Sequence, residues 1–344
     1  MQEEKLITII TTLYNKAPYL ETWAISVAAQ TYLDKARVIV IDDGSTDGSL
    51  ELMKKYAADY KIPIEIFVHA ENRGLLRTIL EAYHLLDTKY FTVLDADDYW
   101  LTEKKLEKAI DFLEAHKDYS GYVSNYLAII KNGEKIPVFP EDLPSQTFSK
   151  GADSPRHFQT PAIVFRNFFT PDLVDALEQA AAGKHSSFVD SDTLRNYLAL
   201  HFGKVRFENS LDAVWRIDIG NFGALAYLEK SLIIMQEHYQ IFDFYFKQFG
   251  LDDNAICALK NSYDYYCHVI ELLAEQLKTF ELFDIKCQNY FHKRFFEYGE
   301  NDLEKIVNAI IELATEFKKL GFKITGDKVS VNFSEEYTKI VKHK

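Results

Sequence analysis

Tyr90-Phe91-Thr92-Val93-Leu94-Asp95-Ala96-Asp97-Asp98-Tyr99-Trp100 is an apolar run that ends in three carboxylates within four residues. Such a run reads as a buried strand, and in an open α/β sheet the crevice beyond the carboxyl ends of the strands is where ligands bind. Acids clustered at that edge suit Mg²⁺ or Mn²⁺, hard ions that take one or two protein carboxylates and complete their shell with water and substrate phosphates. The spacing therefore points to a metal-bridged, phosphorylated substrate. A solvated turn that caps the following helix is the bland alternative, and the residues upstream decide between the two.

Leu6 to Leu13 (LITIITTL) predicts a first strand, and Pro18 suits the first turn of a helix running to about Gln30. Ala36 to Ile41 (ARVIVI) predicts a second strand covered on both faces. It ends in Asp42-Asp43-Gly44-Ser45-Thr46-Asp47, where Gly44 permits a tight path and Ser45, Thr46 or Asp47 can cap a helix over Leu50 to Tyr60. Asp42 reads as a turn acid whose side chain caps that helix. Pro63 to Val68, Leu75 to Leu86 and Tyr90 to Leu94 continue as strand, helix and strand. This alternation with short loops implies right-handed crossovers and a mainly parallel, Rossmann-like, three-layer α/β/α sheet. Beyond the acidic turn, Glu103 to His116 predicts a helix, Gly121 to Ile130 a strand and Lys131-Asn132-Gly133-Glu134 a hairpin turn, while residues 137 to 157 read as a long loop. Thr160 to Arg166 predicts a strand, and Pro171 to Ala181 and Asp192 to Phe202 predict helices. Long helical segments follow at roughly 222 to 249, 253 to 279, 283 to 297 and 302 to 320, the last capped by Asp302, with a hairpin around Gly326-Asp327.

The 344 residues, 47% hydrophobic and 26% charged, have an ordinary globular balance. A net charge of −13 disfavours sequence-independent binding to nucleic acid or to an anionic membrane surface. No apolar run approaches the roughly 18 residues needed to span a bilayer, and Met-Gln-Glu-Glu does not resemble a signal peptide, so a cytoplasmic location is expected. Cys257, Cys267 and Cys287 show no Cys-x-x-Cys spacing and read as reduced, buried thiols.

Ile7 to Asn15 ending in Tyr14-Asn15-Lys16, then Gln30-Thr31-Tyr32, Asp42 to Asp47, Asn72-Arg73-Gly74 and Leu94 to Asp98 come in one order and spacing. Together they resemble the family-two inverting glycosyltransferases with a GT-A fold, over about residues 5 to 218. The resemblance implies a nucleotide-sugar donor, most often a UDP-sugar, lying across the carboxyl edge of the sheet. It implies that Tyr14 lies against the uracil ring, that Asp43 accepts its N3–H, that Asp95 faces ribose or metal-bound water, and that Asp97 ligates Mg²⁺ or Mn²⁺ at the diphosphate. It also assigns Thr12, Asn72, Arg77 and Arg216 to the donor site. The residue types suit those roles: an aromatic face for a base, a fixed carboxylate for an imide donor, a cation for charge on a leaving diphosphate. Each has a structural counterpart, since Tyr14 can simply pack at a strand end, Asp98 can cap the next helix, and Gly74 can serve backbone conformation alone.

The chain departs from the family pattern at Thr12-Leu13, where Pro-Thr is usual, and at Ile79, where an Arg is usual and Arg77 stands two positions earlier. Phe188-Val189-Asp190-Ser191-Asp192-Thr193-Leu194 resembles the family's Glu-Asp pair, with Ser191 in place of Glu. Asp192 is the first candidate for the catalytic base and Asp190 the second. Val214-Trp215-Arg216 resembles the segment that closes over the donor phosphates, with Asp218 in place of a common His. The reading divides the chain into a glycosyltransferase domain over 1–221, with a donor half to about 105 and an acceptor half beyond it, and a mostly helical region over 222–344. The expected acceptor is a hydroxyl of a glycan or of a lipid-linked acceptor at the inner membrane face, as in surface polysaccharide synthesis. The aromatic-rich C-terminal helices are candidates for acceptor, peripheral membrane or homodimer contact. A nucleotidyltransferase is the alternative enzyme, but Leu13-Tyr14-Asn15-Lys16-Ala17 has no glycine for a phosphate loop. A non-catalytic nucleotide- or glycan-binding descendant is the other, against which Asp43, Asp97 and Asp192 stand intact.

Overall fold

The computed structural model describes residues 5–129, 133–151, 158–182, 192–216, 240–250, 252–258, 261, 322–325 and 328–331. Asp190, Asp218, Asp302, Cys267, Cys287 and most of the helical segments expected after residue 222 lie outside the described residues. By contacts the chain divides into two units. One comprises Met1–Gly183, Ser187–Gly220 and Phe246–Cys257; the other comprises Lys184–Ser186, Asn221–Tyr245 and Ala258–Lys344.

In the first unit, β1 (Ile7–Leu13), β2 (Ala36–Asp42), β3 (Ile64–Val68) and β4 (Tyr90–Val93) form a parallel block in the order β3-β2-β1-β4. Their connections are α1 (Leu20–Ala28), α2 (Ser49–Asp59) and α3 (Leu75–His84). Steps from β1 to β2 to β3 run one way across the sheet and the step to β4 runs back. Right-handed crossovers then put α1 and α2 on one face and α3 on the other. The contacts agree, α1 packing with α2 and α3 with α5 (Pro171–Ala181). β1, central in the block and covered on both faces, is buried at every position but Thr12, which suits its β-branched sequence of isoleucines and threonines without a charge. The direction of strand order reverses between β1 and β4. That reversal opens a crevice at their carboxyl ends.

The second half of the sheet is mixed. β9 (Ile163–Arg166) lies antiparallel between β4 and β6 (Tyr119–Ile129), and β10 (Lys204–Arg216) runs parallel to β6. Three short antiparallel strands complete it: β5 (Tyr99–Trp100) and β8 (Gln146–Phe148) on β10, and β7 (Lys135–Pro137) on β6. The stretch expected as a loop from 137 to 157 thus contains β8, whose pairing with Val205 to Phe207 satisfies its backbone. α4 (Lys105–Ala115) packs on β6, and α6 (Asp192–Phe202) packs on β6 and β10. Thr170 caps α5 by accepting from Leu173 N–H, as its place before Pro171 predicts. Lys105, only 1% exposed, donates from Nζ to Ser124 Oγ (2.9 Å) and to the Ala162 carbonyl (2.8 Å), and burial pulls its pKa down to about 8.

Two capping expectations are corrected. Asp42 accepts from Ser45 N–H (3.2 Å) in a local turn and does not reach α2, which starts at Ser49 after Gly48. Asp98 does not cap α4, which starts at Lys105. It accepts from Arg216 N–H (2.8 Å) and ties β10 to the acidic turn. In the second unit, β11 (Phe322–Thr325) and β12 (Lys328–Val331) form the expected antiparallel hairpin. Cys257 is a buried thiol whose Sγ lies 4.0 Å from Tyr197 Oη.

Candidate functional site

The ends of β1 and β4 are stitched together by Thr11 Oγ1 donating to the Leu94 carbonyl (2.8 Å) and Thr12 Oγ1 donating to Asp95 Oδ1 (3.2 Å). Thr12 therefore acts on Asp95 directly. Just beyond, Asn15 turns the chain at φ 52°, and two loops interlace: Asn15 N–H donates to Ser45 Oγ, Thr46 N–H to Asn15 Oδ1, Lys16 N–H to Ser49 Oγ and Ala17 N–H to Asp47 Oδ2. Tyr14 rides on this turn with 43% of its surface exposed at the sheet's carboxyl edge, which suits stacking and not core packing.

Asp43 follows β2 and is 4% exposed. Its Oδ1 accepts from His69 Nδ1 (2.8 Å) and Arg73 N–H (2.8 Å), and its Oδ2 accepts from Gly74 N–H (2.9 Å). Burial alone would raise its pKa, but these three hydrogen bonds hold it below the usual carboxylate range. A carboxylate offers about four acceptor directions, so a direction at Oδ2 remains for a ligand donor. Asn72, exposed, accepts from Gly74 N–H (2.9 Å), and Gly74 sits at φ 87°, the conformational role expected of it. Gly44, at φ 76°, passes so close to this loop that a Cβ would lie 2.8 Å from the Glu71 carbonyl carbon. Arg77 is exposed on the first turn of α3.

The acidic turn gathers charge from both halves of the sheet. Burial first, and then the neighbouring carboxylates of Asp97 and Asp192, push Asp95 up to about 6, with Arg195 opposing. Asp97 pairs with the Lys16 ammonium, and its carbonyl accepts from the Arg216 guanidinium. That guanidinium lies between two rings, 5.0 Å from the Tyr19 centroid and 4.7 Å from the Tyr99 centroid. Asp192, at the start of α6, accepts at Oδ1 from Thr160 Oγ1 (2.9 Å) and pairs there with Arg195, a buried residue that also donates to Tyr83 Oη (3.0 Å). Neither of these bonds uses Oδ2 of Asp192.

Asp95, Asp97 and Asp192 are thus brought together, with Thr12, Lys16 and Arg216 around them. Asp43, Asn72 and Tyr14 border the neighbouring stretch of the same edge. Sequence reasoning did not assign Lys16, Tyr19, His69, Tyr99, Thr160 or Arg195. Of these only Arg195 carries a local signal, three residues after Asp192 on a helix.

Hard oxygen donors next to under-neutralised carboxylates suit Mg²⁺ or Mn²⁺, which Asp95 and Asp97 would hold. They do not make a closed protein cage. Among the described residues, the only group of three or more ligating side chains within 4.8 Å of one another is His84, Asp175 and Glu178, all exposed and at the far end of α3 from Gly74. A turn that offers one or two carboxylates matches an ion whose shell is completed by phosphate and water.

Residues 8–168 match the model of the family described as glycosyl transferase family 2. Just under half of the chain is thus similar to that family. An uncharacterized protein of Mycobacterium tuberculosis is 27% identical over 161 residues, 46% of this chain and 46% of that protein. A processive diacylglycerol beta-glycosyltransferase of Mycoplasma genitalium is 23% identical over 140 residues, 40% of this chain and 41% of that protein. The matches therefore span about half the length of these relatives or less. The solved structure of S. aureus TarS 1-349 in complex with UDP-GlcNAc is 15% identical, with a TM-score of 0.49 over 96% of this chain and 97% of that one. Within the matched stretch lie every site residue from Thr12 to Asp97, and also Thr160. Asp192 and Arg216 follow it.

Proposed function

We propose that the chain is a metal-dependent, inverting glycosyltransferase that moves a sugar from a nucleoside-diphosphate donor, a UDP-sugar, to a hydroxyl of a glycan or lipid-linked acceptor. The observation that carries the reading is the meeting of Asp192 with Asp95 and Asp97, carboxylates almost a hundred residues apart in sequence, at the crevice between β1 and β4. Tyr14 stacks on the base and Asp43 accepts its imide N–H. The Arg216 guanidinium, steadied between Tyr19 and Tyr99, and the Lys16 ammonium face the diphosphate. When bound, Mg²⁺ or Mn²⁺ at Asp97 and Asp95 neutralises charge on the leaving group.

Inversion requires a single attack by the acceptor hydroxyl on the face opposite the nucleotide, so one protein group must take that proton. Asp192 takes it at Oδ2, while Thr160 and Arg195 hold Oδ1 and keep the carboxylate aimed. Asp192→Asn preserves shape but cannot accept a proton. It should bind UDP and Mn²⁺ normally and lose about 10²- to 10⁴-fold in transfer rate, measured by product formation from a panel of UDP-sugars and the anomeric coupling of the product. Unchanged transfer by this variant, with transfer lost in Asp190→Asn, moves the role to Asp190; retained anomeric configuration removes the inverting mechanism.

A further inference from the structure

His69 follows β3 with 5% of its surface exposed, and both of its ring nitrogens face carboxylates. Nδ1 lies 2.8 Å from Asp43 Oδ1 and Nε2 lies 2.8 Å from Glu81 Oε2, the latter on α3. Ionised carboxylates only accept hydrogen bonds, so satisfying both contacts requires a proton on each nitrogen. The ring is then an imidazolium that links the ends of β2 and β3 to α3. Through Asp43 it also fixes Arg73 N–H and Gly74 N–H at the start of that helix.

We propose that His69, as an imidazolium, is a positioning residue that fixes Asp43 and the Arg73-Gly74 backbone for the nucleobase, and that loss of its Nε2 proton loosens this pocket. The inference rests on Asp43 as the base acceptor and adds a pH dependence to donor binding. Three charged groups face the ring: Asp43 from the end of β2, Glu81 from α3 and Arg73 from the loop between β3 and α3. Burial works against the charged ring, but Asp43 and Glu81 outweigh burial and Arg73, leaving the pKa above the usual 6.5. The sign follows: a raised value in the folded state means the clamp is complete below pH 6.5 and is lost as pH rises through the raised value. Nε2 gives up its proton first, because the Glu81 side chain is 37% exposed and can turn to water, whereas that of Asp43 is 6% exposed and cannot.

The test is calorimetric titration of uridine diphosphate, with Mn²⁺ present, into the full chain between about pH 6 and 9. Wild type, His69→Gln and Glu81→Gln are compared, and the His69 ring is followed by NMR in the free protein. Wild-type affinity should fall about tenfold across the ring's titration, the effect of losing one buried charged hydrogen bond. His69→Gln should bind weakly at every pH with no break. Glu81→Gln, which keeps an acceptor but removes a charge that favours the imidazolium, should match wild type at the acid end and break at lower pH. Wild-type affinity in His69→Gln throughout, or an unmoved break in Glu81→Gln, overturns the assignment. If His69→Gln does not fold, the Glu81→Gln break decides alone. Failure of wild type to bind uridine diphosphate at any pH would count against Asp43 as base acceptor. The NMR titration then still decides the clamp, a ring neutral at pH 6.5 in the free protein overturning it.

Discussion

With burial around it and Asp97 and Asp192 nearby, Asp95 keeps its proton up to about pH 6, so at neutral pH the metal-free protein holds an ionised carboxylate that its surroundings disfavour. The folded value lies above the unfolded 3.8, so the group favours folding below that value and its contribution is lost as pH rises through about 6. Asp95→Asn should therefore raise the metal-free melting temperature at neutral pH by roughly 1–3 °C, about 1–2 kcal/mol in a chain of this size, and abolish stabilisation by Mn²⁺. A lower melting temperature without metal would mean that the carboxylate is already compensated. Lys16 supplies part of that compensation by occupying Asp97. Lys16→Met should bind Mn²⁺ in the absence of nucleotide a few-fold more tightly, on the order of one surface-to-half-buried ion pair, as read by electron paramagnetic resonance. The acids that meet here were legible because each sits in a short motif at the end of a predicted strand or the start of a predicted helix. Lys16, Thr160 and the two tyrosines beside Arg216 were not, because their roles depend on contacts from distant parts of the chain that no local spacing encodes.

At the level of elements, the four parallel strands and their helices read from sequence to within a residue or two at most ends, because a covered strand and an amphipathic helix leave periodic marks. β10 was missed for a physical reason. Its register against β6 shifts between Lys204 and Val205, between Glu208 and Leu211 and again between Leu211 and Ala213, which breaks the alternation that would reveal a strand. Those irregularities come before the stretch where β10 pairs Ala213 and Val214 with β5 and delivers Arg216 to the acidic turn. The turn after β2 was legible through Gly44, and its steric demand gives a prediction. Gly44→Ala would place a methyl against the Glu71-Asn72 backbone at φ 76°, costing about 1–3 kcal/mol in urea denaturation and weakening uridine diphosphate binding by displacing the Asp43 loop. Wild-type stability in this variant would show that the loop yields freely.

For the whole molecule, the first unit does not end with β10. Asn254, 1% exposed, accepts from Gly151 N–H (2.7 Å) and donates to the Tyr197 carbonyl (3.2 Å), and Asp252 pairs with Lys150 (2.9 Å). A chain truncated before Phe246 should consequently melt below one that ends after Cys257, and Asn254→Ala in the full chain should cost about 1–3 kcal/mol by removing the hydrogen bonds that the buried Asn254 amide makes to Gly151 and Tyr197. Equal melting temperatures for the two truncations would make this segment dispensable. The position of β9 has a further consequence, one of timing. Strand β9 is inserted between β4 and β6, yet it is synthesised after both. At roughly 5–20 residues per second a ribosome needs about 4–15 s to pass from the end of β4 to the end of β9. During that interval β4 has a finished partner in β1 and an open edge on its other side, one that β6 could pair with prematurely or that another nascent chain could extend. Slow or chaperone-shielded elongation through residues 94–166 should therefore decide how much of the chain reaches the native sheet.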